Sequence, residues 1–282
     1  MNSLPEWFRI GEFDKGAYKA TLSFLRKLRL NTVCIEANCP NRYECFSHGT
    51  ATFMILGNIC TRNCRYCNVA TGKPQSVDKD EPKRIARAIS RLGLRHVVIT
   101  SVSRDDLQDG GALHFVRVIN EVRKANNSVT IELLIPDFNG NFEALSSVVG
   151  AKPDVINHNI EVVKRLFQEM RPGADYELSL RILEFVKRSQ PGIVTKSGLM
   201  VGLGETTQDV TKTMQDLAAH CCDILTIGQY LQPSDAHAKV VSYYKPEEFQ
   251  LLRKKALSMG FKQVLSAPLV RSSYKAAQCI VK

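Results

Sequence analysis

The chain has 282 residues, 44% of them hydrophobic, which suits one barrel-sized domain or two smaller ones. No run approaches the roughly 18 apolar residues of a membrane span, and residues 1–15 lack the features of a secretory signal or a transit peptide. The net charge of +10 favours anionic partners such as an acidic carrier protein, although a merely solvated basic surface would carry the same charge. Nucleic acid is disfavoured, because the chain has no zinc finger, RNP-type motif or long Lys/Arg run.

Hydrophobic periodicity predicts a regular succession of elements along the chain. An extended arm over residues 1–16 precedes an amphipathic helix over 17–30 and a cysteine-containing loop around Pro40 and Asn41. Strands are predicted at residues 52–56, 97–101, 129–135, 155–159, 196–201, 224–229 and 262–266. Helices are predicted at residues 82–92, 111–124, 142–149, 161–169 with 176–188, 206–220 and 246–259.

This alternation of strands and helices argues for a parallel α/β fold. Six strands within residues 52–229 are too few for a full eight-stranded barrel, which takes about 250 residues. The sequence therefore predicts an incomplete (β/α)6 TIM-type barrel with an open side, and an open doubly wound sheet is the alternative. In such barrels the chemistry lies on loops at the carboxyl ends of the strands.

Six of the nine cysteines fall within residues 34–67, in the two sets Cys34-x4-Cys39-x5-Cys45 and Cys60-x3-Cys64-x2-Cys67. Disulfides suit small secreted domains, whereas this chain is large enough for its own core and shows no secretory leader. Structural zinc takes four ligands that commonly come from paired C-x2-C knuckles, and here there is one C-x2-C pair. Iron–sulfur clusters fit better, since three thiolates leave the fourth iron of a [4Fe–4S] cluster free. Clustered thiols also suit the reducing cytosol, and a trimmed organellar form stays open.

Polar residues follow several predicted strands, where a barrel would bind its ligand. Ser103 and Asp105 follow the second strand, and Asn157 and His158 lie at the end of the fourth. The ordinary alternatives are a solvated turn for the first pair and a satisfied core histidine for His158. The remaining cysteines are predicted to be buried structural thiols; they are Cys221, Cys222 and Cys279.

The second cysteine set, with Tyr66 just before its last member, resembles the motif of the radical S-adenosylmethionine (radical SAM) superfamily. The two sets together resemble those of the lipoyl synthase family. Five further stretches do so as well: TSVSRDDLQDGGALHF (100–115), RPGADY (171–176), KSGLMVGLGE (196–205), TIGQYL (226–231) and RSSYKA (271–276). This chain differs from the family pattern at three positions. It has Asn58 where aspartate is common, Ala267 where glycine is common and Lys275 where histidine is common.

The resemblance implies two [4Fe–4S] clusters. One would bind and cleave S-adenosylmethionine to give a 5′-deoxyadenosyl radical, and its ligands would be Cys60, Cys64 and Cys67. The other, an auxiliary cluster, would have as ligands Cys34, Cys39, Cys45 and Ser273. Tyr66 would lie beside the adenine, and Lys196 and Glu205 would meet the methionine or ribose end of the cofactor.

The resemblance also implies the reaction and its partners. The radical would remove hydrogen at C6 and then at C8 of an octanoyl-lysine, with one S-adenosylmethionine for each step, and the auxiliary cluster would supply the sulfur. The substrate would be a lipoyl carrier domain of a 2-oxoacid dehydrogenase complex or the glycine cleavage H protein, and reduced ferredoxin or flavodoxin would supply electrons.

The same resemblance divides the chain into three parts. Residues 1–50 would form an extension carrying the auxiliary-cluster cysteines, 51–232 the radical SAM partial barrel, and 233–282 a closing extension that supplies the serine. Two alternatives stay open. One is another radical SAM enzyme with an auxiliary cluster, which inserts sulfur or methylthiolates tRNA. The other is a zinc-dependent nucleic-acid-binding protein.

Overall fold

Strands and helices alternate along most of the computed structural model, which describes residues 4–9 and 11–279. The helices are α1 (Lys15–Lys27), α2 (Val33–Glu36), α3 (Arg42–Ser47), α4 (Glu81–Arg91), α5 (Ala112–Ala125), α6 (Phe142–Gly150), α7 (Phe167–Met170), α8 (Tyr176–Ser189), α9 (Thr207–Ala219) and α10 (Pro246–Ser258). The strands are β1 (Asn31–Thr32), β2 (Thr52–Ile55), β3 (Ile59–Cys60), β4 (Ala70–Thr71), β5 (His96–Ser101), β6 (Thr130–Leu134), β7 (Val155–Asn157), β8 (Val194–Val201), β9 (Ile224–Gln229) and β10 (Gln263–Ser266). In that part of the chain, no helix is long and apolar enough to cross a membrane.

Eight strands form one sheet in the order β1-β2-β5-β6-β7-β8-β9-β10, and β3 pairs with β4 apart from it. All neighbours in the large sheet are parallel except β1, which runs antiparallel to β2. The strand order follows the chain without the reversal that defines a doubly wound sheet, so that alternative is wrong. The predicted incomplete (β/α)6 barrel is confirmed, with β10 as a last parallel strand beside β9.

The strands are buried because helices cover the sheet, as in other parallel α/β folds. Every residue of β2 and of β9 is buried. Helix α4 shows the matching amphipathic pattern: Ile85, Ala88 and Ile89 are buried, whereas Arg87 and Arg91 are exposed. The core therefore lies between the sheet and the inner faces of the helices.

Capping and backbone conformation place the ends of α1, which hydrophobic spacing alone predicts at residues 17 and 30. The helix begins at Lys15 because the Asp14 carboxylate accepts hydrogen bonds from the backbone N–H groups of Gly16 and Ala17, at 2.8 and 3.0 Å. It ends at Lys27, and Arg29 then adopts the left-handed conformation with a φ of 51°. Both ends therefore lie two or three residues before their predicted positions.

The first cysteine set lies mainly on two short helices, so the predicted loop is wrong there. Helix α2 carries Cys34, α3 carries Cys45, and Cys39 lies in the connection between them. Backbone hydrogen bonds from Cys39 N to Cys34 O and from Cys45 N to Asn41 O, at 3.2 and 2.9 Å, form these turns. Local turn bonding of this kind leaves no hydrophobic periodicity that a sequence pattern could reveal.

The division of the chain into an extension over residues 1–50, a partial barrel over 51–232 and a second extension over 233–282 stays a prediction. Residues 1–50 contain α1, α2, α3 and β1, and residues 233–282 contain α10 and β10. Because β10 pairs with β9, the second of these parts continues the barrel sheet. Residues 1–3, 10 and 280–282 of the two extensions lie outside the described residues.

A buried ionic cluster fills the barrel interior. The Lys196 ammonium, fully buried, lies 2.8 Å from Glu132 Oε1, and His96 Nε2 lies 3.4 Å from Glu132 Oε2. Burial alone would raise the pKa of Glu132, but the Lys196 charge and the hydrogen bonds it receives lower that pKa. The pairing holds three strands together, because these residues come from β5, β6 and β8.

Asp223, just before β9, binds several elements at the amino-terminal end of the barrel. Its carboxylate accepts from the Thr195 backbone N–H at 3.0 Å, from Lys187 Nζ at 2.5 Å and from Lys262 Nζ at 2.8 Å. Burial would raise the pKa of Asp223, but the two ammonium groups lower it below its usual range. Its stabilisation is therefore present above the unfolded-state pKa of about 3.9 and is lost as the pH falls through the lower folded-state value.

We expect Asp223→Asn to lower the free energy of unfolding by about 3 kcal/mol at neutral pH, because it leaves the largely buried Lys187 ammonium without its anion, whereas the exposed Lys262 contributes little. Urea unfolding followed by circular dichroism measures the change. Asp235→Asn is the matched control, since Asp235 is exposed and its carboxylate accepts no hydrogen bond from the described residues. Equal midpoints for the two variants would contradict the stabilising role of Asp223.

Candidate active site

One cavity of about 600 Å³ opens at the carboxyl ends of the barrel strands. Its lining includes Met54 of β2, Ser103 after β5, Pro136 after β6, His158 after β7 and Met200 near the end of β8. It also includes all seven predicted cluster ligands: Cys34, Cys39, Cys45, Cys60, Cys64, Cys67 and Ser273. The two cysteine sets, which lie on different elements of the fold, thus meet at the face of the barrel where active sites of such folds are found.

The second cysteine set begins at Cys60, the last residue of β3, and continues on the loop between β3 and β4, which several contacts hold in place. The Arg65 N–H donates to Met170 O at 2.9 Å, and the Ala238 N–H donates to Arg65 O at 2.8 Å. His237 Nε2 lies 3.0 Å from Cys67 O. The loop is therefore fixed from two other parts of the chain, after β7 and after β9.

Arg62, between the first two cysteines of this set, fixes the other side of the loop. Its guanidinium donates to both oxygens of Asp105, each at 2.9 Å, and to both oxygens of Asp137, at 2.5 and 2.6 Å. A further bond reaches Asn139 Oδ1 at 2.5 Å. Burial would raise the pKa of Asp137, but the Arg62 guanidinium lowers it, so the pair is ionised.

The thiols of the first set are strongly desolvated. Burial, with help from Cys39, raises the pKa of Cys34 to about 12, and burial raises that of Cys45 to about 11. In the second set, burial raises the pKa of Cys67 to about 12. These groups are neutral thiols at neutral pH, and a metal that binds them must displace their protons.

The thiols suit iron–sulfur clusters better than a single metal ion. Among the described residues, no group of three or more His, Cys, Asp or Glu side chains is arranged to hold one metal ion. A mononuclear zinc site needs such convergence, whereas the cysteines of a cluster bind separate irons. Two sets of three cysteines line one cavity, and each set is a donor set that a [4Fe–4S] cluster with one open iron would take.

The two adjacent serines of the C-terminal motif have different surroundings. Ser272 Oγ accepts a hydrogen bond from Asn159 Nδ2 at 3.1 Å. Ser273 also lines the cavity, and its hydroxyl has no hydrogen-bond partner in the part of the chain that the structure describes. Ser273 is therefore the hydroxyl that is available to a ligand.

Five buried polar atoms of residues that line the cavity lack partners among the described residues: Arg42 Nε, Ser101 Oγ, His158 Nε2, Asn159 Oδ1 and Arg171 Nε. Burial, and after it the Arg171 charge, lowers the pKa of His158 to about 4, so the ring is neutral. Because Nδ1 lies 2.9 Å from the Ile135 carbonyl, it carries the proton, and Nε2 is an acceptor. The wall thus offers acceptors and a cationic donor to a polar, partly anionic ligand such as S-adenosylmethionine.

The seven predicted cofactor-binding residues divide into two groups. Tyr66, Ser103 and His158 line the cavity. None of the other four is among the described residues that line it; they are Asp105, Asn157, Lys196 and Glu205. Asn157 Nδ2 donates to Glu132 Oε1 at 3.4 Å, whereas its buried Oδ1 has no partner among the described residues. Lys196 pairs with Glu132 inside the barrel, Asp105 with Arg62, and the Glu205 carboxylate accepts from the backbone N–H of Gly202 at 2.6 Å.

Two further residues of the cavity wall, Glu161 and Arg171, were not assigned from the sequence. Glu161 adopts a left-handed backbone conformation with a φ of 67°, which is costly for a non-glycine residue and concentrates at functional sites. Burial raises the pKa of its carboxyl group. The sequence offered two signals. Glu161 comes two residues after Asn159, the last residue of the predicted fourth strand, and Arg171 is the first residue of RPGADY.

Comparison with known proteins agrees with this fold and site. Residues 54–217 match the radical SAM superfamily. The chain is 55% identical to lipoyl synthase of Caldanaerobacter subterraneus subsp. tengcongensis, over 96% of this chain and 95% of that protein. It is 52% identical to lipoyl synthase of Alkaliphilus metalliredigens, over 99% of this chain and 96% of that protein.

Solved structures show the same fold at low sequence identity. SuiB of Streptococcus suis bound to precursor peptide SuiA has a TM-score of 0.59 at 9% identity, covering 88% of this chain and 52% of that one. Methylornithine synthase (PylB) has a TM-score of 0.55 at 13% identity, covering 93% of this chain and 81% of that one. These two likenesses concern the fold alone.

The partial barrel, the C-x3-C-x2-C loop at its catalytic face and the matched region define a radical SAM enzyme, which uses S-adenosylmethionine and a [4Fe–4S] cluster. Within that superfamily, more than half of the residues are identical to those of lipoyl synthases over nearly the whole chain, and this identity shows the family. The chain belongs to the lipoyl synthase family, the sulfurtransferases of lipoate biosynthesis. The zinc-dependent nucleic-acid-binding alternative is therefore wrong.

Proposed function

We propose that this chain inserts two sulfur atoms, at C6 and C8, into an octanoyl-lysine carried by a lipoyl carrier domain. The observation that carries the proposal is the meeting of both three-cysteine sets and Ser273 in one cavity. Two clusters facing one space would let a single alkyl chain reach both a radical source and a sulfur source. Membership of the family supports the same reaction.

The cysteines and Ser273 that line the cavity form two sets of proposed cluster ligands. Cys60, Cys64 and Cys67 would hold the cluster that binds S-adenosylmethionine. Cys34, Cys39, Cys45 and Ser273 would hold the auxiliary cluster. When bound, the first cluster supplies the electron that cleaves S-adenosylmethionine to a 5′-deoxyadenosyl radical, and the second supplies sulfur.

The remaining lining residues bind and orient the reactants. The Arg171 guanidinium suits the carboxylate of S-adenosylmethionine, and the neutral His158 offers an acceptor to a hydroxyl or amino group. Apolar residues of the same lining, including Val33, Met54, Leu199 and Met200, suit an alkyl chain and exclude water. The protein's part is therefore to hold an unactivated carbon close to the reactive groups.

The partners follow from the same proposal. An octanoylated carrier domain of a 2-oxoacid dehydrogenase complex or the glycine cleavage H protein would present the lysine, and reduced ferredoxin or flavodoxin would supply electrons. The net charge of +10 would attract a carrier domain of acidic surface.

The test is a reaction with an octanoyl-lysyl peptide under anaerobic conditions, using reconstituted protein, S-adenosylmethionine and a low-potential reductant. Mass spectrometry is expected to find a peptide that has gained two sulfur atoms, together with 5′-deoxyadenosine. The same peptide with an unmodified lysine and a tRNA substrate serve as comparisons. Deoxyadenosine formation without a thiolated peptide would contradict the proposal, and methylthiolated tRNA would favour the other radical SAM alternative.

A further inference from the structure

The helix that carries Cys45 is bound directly to the C-terminal segment that carries Ser273. Glu44 Oε2 accepts a hydrogen bond from the Tyr274 hydroxyl at 2.8 Å. Asn41, immediately before α3, donates from Nδ2 to the Leu269 carbonyl at 2.7 Å. The two contacts thus lie on either side of Ser273, at Leu269 and at Tyr274.

The C-terminal segment, residues 267–275, has no strand or helix of its own to fix its course. Its internal backbone bonds are short-range turns, from Val270 N to Ala267 O at 3.1 Å and from Tyr274 N to Arg271 O at 2.9 Å. On the barrel side its first residues are held by backbone bonds from Ala267 N to Ile227 O and from Gln229 N to Pro268 O, each at 3.2 Å, and Ser272 is held by its bond with Asn159. On the side of the first cysteine set, Asn41 and Glu44 provide side-chain hydrogen bonds to it.

Burial and charge strengthen this connection. Asn41 is only 4% exposed, and its bond to the Leu269 carbonyl is partly buried, so losing this bond would leave a partly buried carbonyl unpaired. Glu44 also lies 3.4 Å from Lys275 Nζ through Oε1, and the same ammonium lies 4.9 Å from the centre of the Tyr274 ring. Lys275 thus adds a permanent charge at the position where histidine is common in the family.

We infer that Glu44 and Asn41 are positioning residues, which hold Ser273 in place opposite Cys34, Cys39 and Cys45. The inference rests on the proposed role of Ser273 as a ligand of the auxiliary cluster. A hydroxyl is a weak ligand for iron, so its position must be set by other contacts. Groups that orient a metal ligand in this way govern how well the ligand binds.

The test compares hydrogen–deuterium exchange of residues 269–276 in reconstituted wild-type protein and in variants. Glu44→Ala combined with Asn41→Ala is expected to accelerate exchange there by about tenfold or more, because the segment loses its contacts with α3. Glu44→Gln should keep most of the protection, since its amide oxygen can still accept from Tyr274. Glu36→Ala is the matched control, because the Glu36 side chain touches no residue of the segment.

A spectroscopic measurement separates positioning from general loosening. In protein that also carries Cys60→Ala, Cys64→Ala and Cys67→Ala, only the auxiliary cluster would be present. There the double variant is expected to shift the electron paramagnetic resonance spectrum towards that of Ser273→Ala, with iron content unchanged. Unaltered exchange and an unaltered spectrum would overturn the inference. If wild-type protein makes no thiolated peptide but exchange still accelerates, it is the proposed function that fails.

Discussion

Protein with alanine at Cys34, Cys39 and Cys45 is expected to form 5′-deoxyadenosine but no thiolated peptide, and to hold half of the wild-type iron. The two cysteine sets lie on separate parts of the fold, α2 to α3 for the first and β3 with the loop after it for the second, so removing one set should leave the other intact. Radical generation would continue on the second set, whereas the source of sulfur would be lost. Iron and sulfide analysis with product detection by mass spectrometry measures both effects.

The complementary variant has alanine at Cys60, Cys64 and Cys67. It should also lose half of the iron, but it should form neither deoxyadenosine nor thiolated peptide. Cys221→Ala is the control, because Cys221 is an exposed thiol that does not line the cavity. The prediction that it is buried is therefore wrong, whereas Cys222 and Cys279 are buried as predicted. Zinc in place of iron after anaerobic reconstitution, or thiolation by the first triple variant, would contradict the two-cluster arrangement.

Arg62→Ala is expected to lower the rate of deoxyadenosine formation by about a hundredfold or more, because misplacing reacting groups by a small distance has effects of that size. The variant removes the bonds that join the cysteine loop to Asp105, Asp137 and Asn139. It also leaves the Asp137 carboxylate, whose side chain is only 2% exposed, without its cation. Single-turnover kinetics with iron analysis separates a slow reaction from loss of the cluster.

Two other substitutions define the role of Arg62. Arg62→Lys should restore little activity, since one ammonium cannot replace a planar group that bonds two carboxylates in pairs. Arg65→Ala should change the rate by less than about twofold, because its ion pair with Glu169 lies at the surface, with both side chains more than half exposed. A similar loss from Arg62→Ala and Arg65→Ala would show that neighbouring charge, and not the Arg62 bonds, controls the loop.

The barrel could be predicted from the sequence because its signals are local and repeated. Short apolar runs separated by amphipathic stretches identify the strands, and the sequence order of the strands is also their order in the sheet. The predicted strand at 224–229 coincides with β9, and the other predicted core strands overlap those observed. The cysteine sets were equally visible, because thiol spacing is itself a chemical pattern.

Side-chain direction could not be predicted in the same way. Lys196 lies on a strand that reaches the cavity, but its ammonium turns to Glu132, a residue of another strand. Asp105 follows a strand end as a ligand-binding residue would, but Arg62 takes up its carboxylate. In each case the deciding partner is remote in sequence, so no local pattern reveals it. The same holds for Glu161, whose unusual φ follows from the way its strand end meets β8.

The contacts of Asn41 with Leu269 and of Glu44 with Tyr274 join residues that are 228 and 230 positions apart. Contacts of such long range form late, because closing so large a loop is entropically costly until the chain between is folded. During synthesis, Cys34, Cys39 and Cys45 therefore emerge long before their proposed fourth ligand exists. Under the proposed ligation, complete assembly of the auxiliary cluster would therefore follow the folding of the barrel.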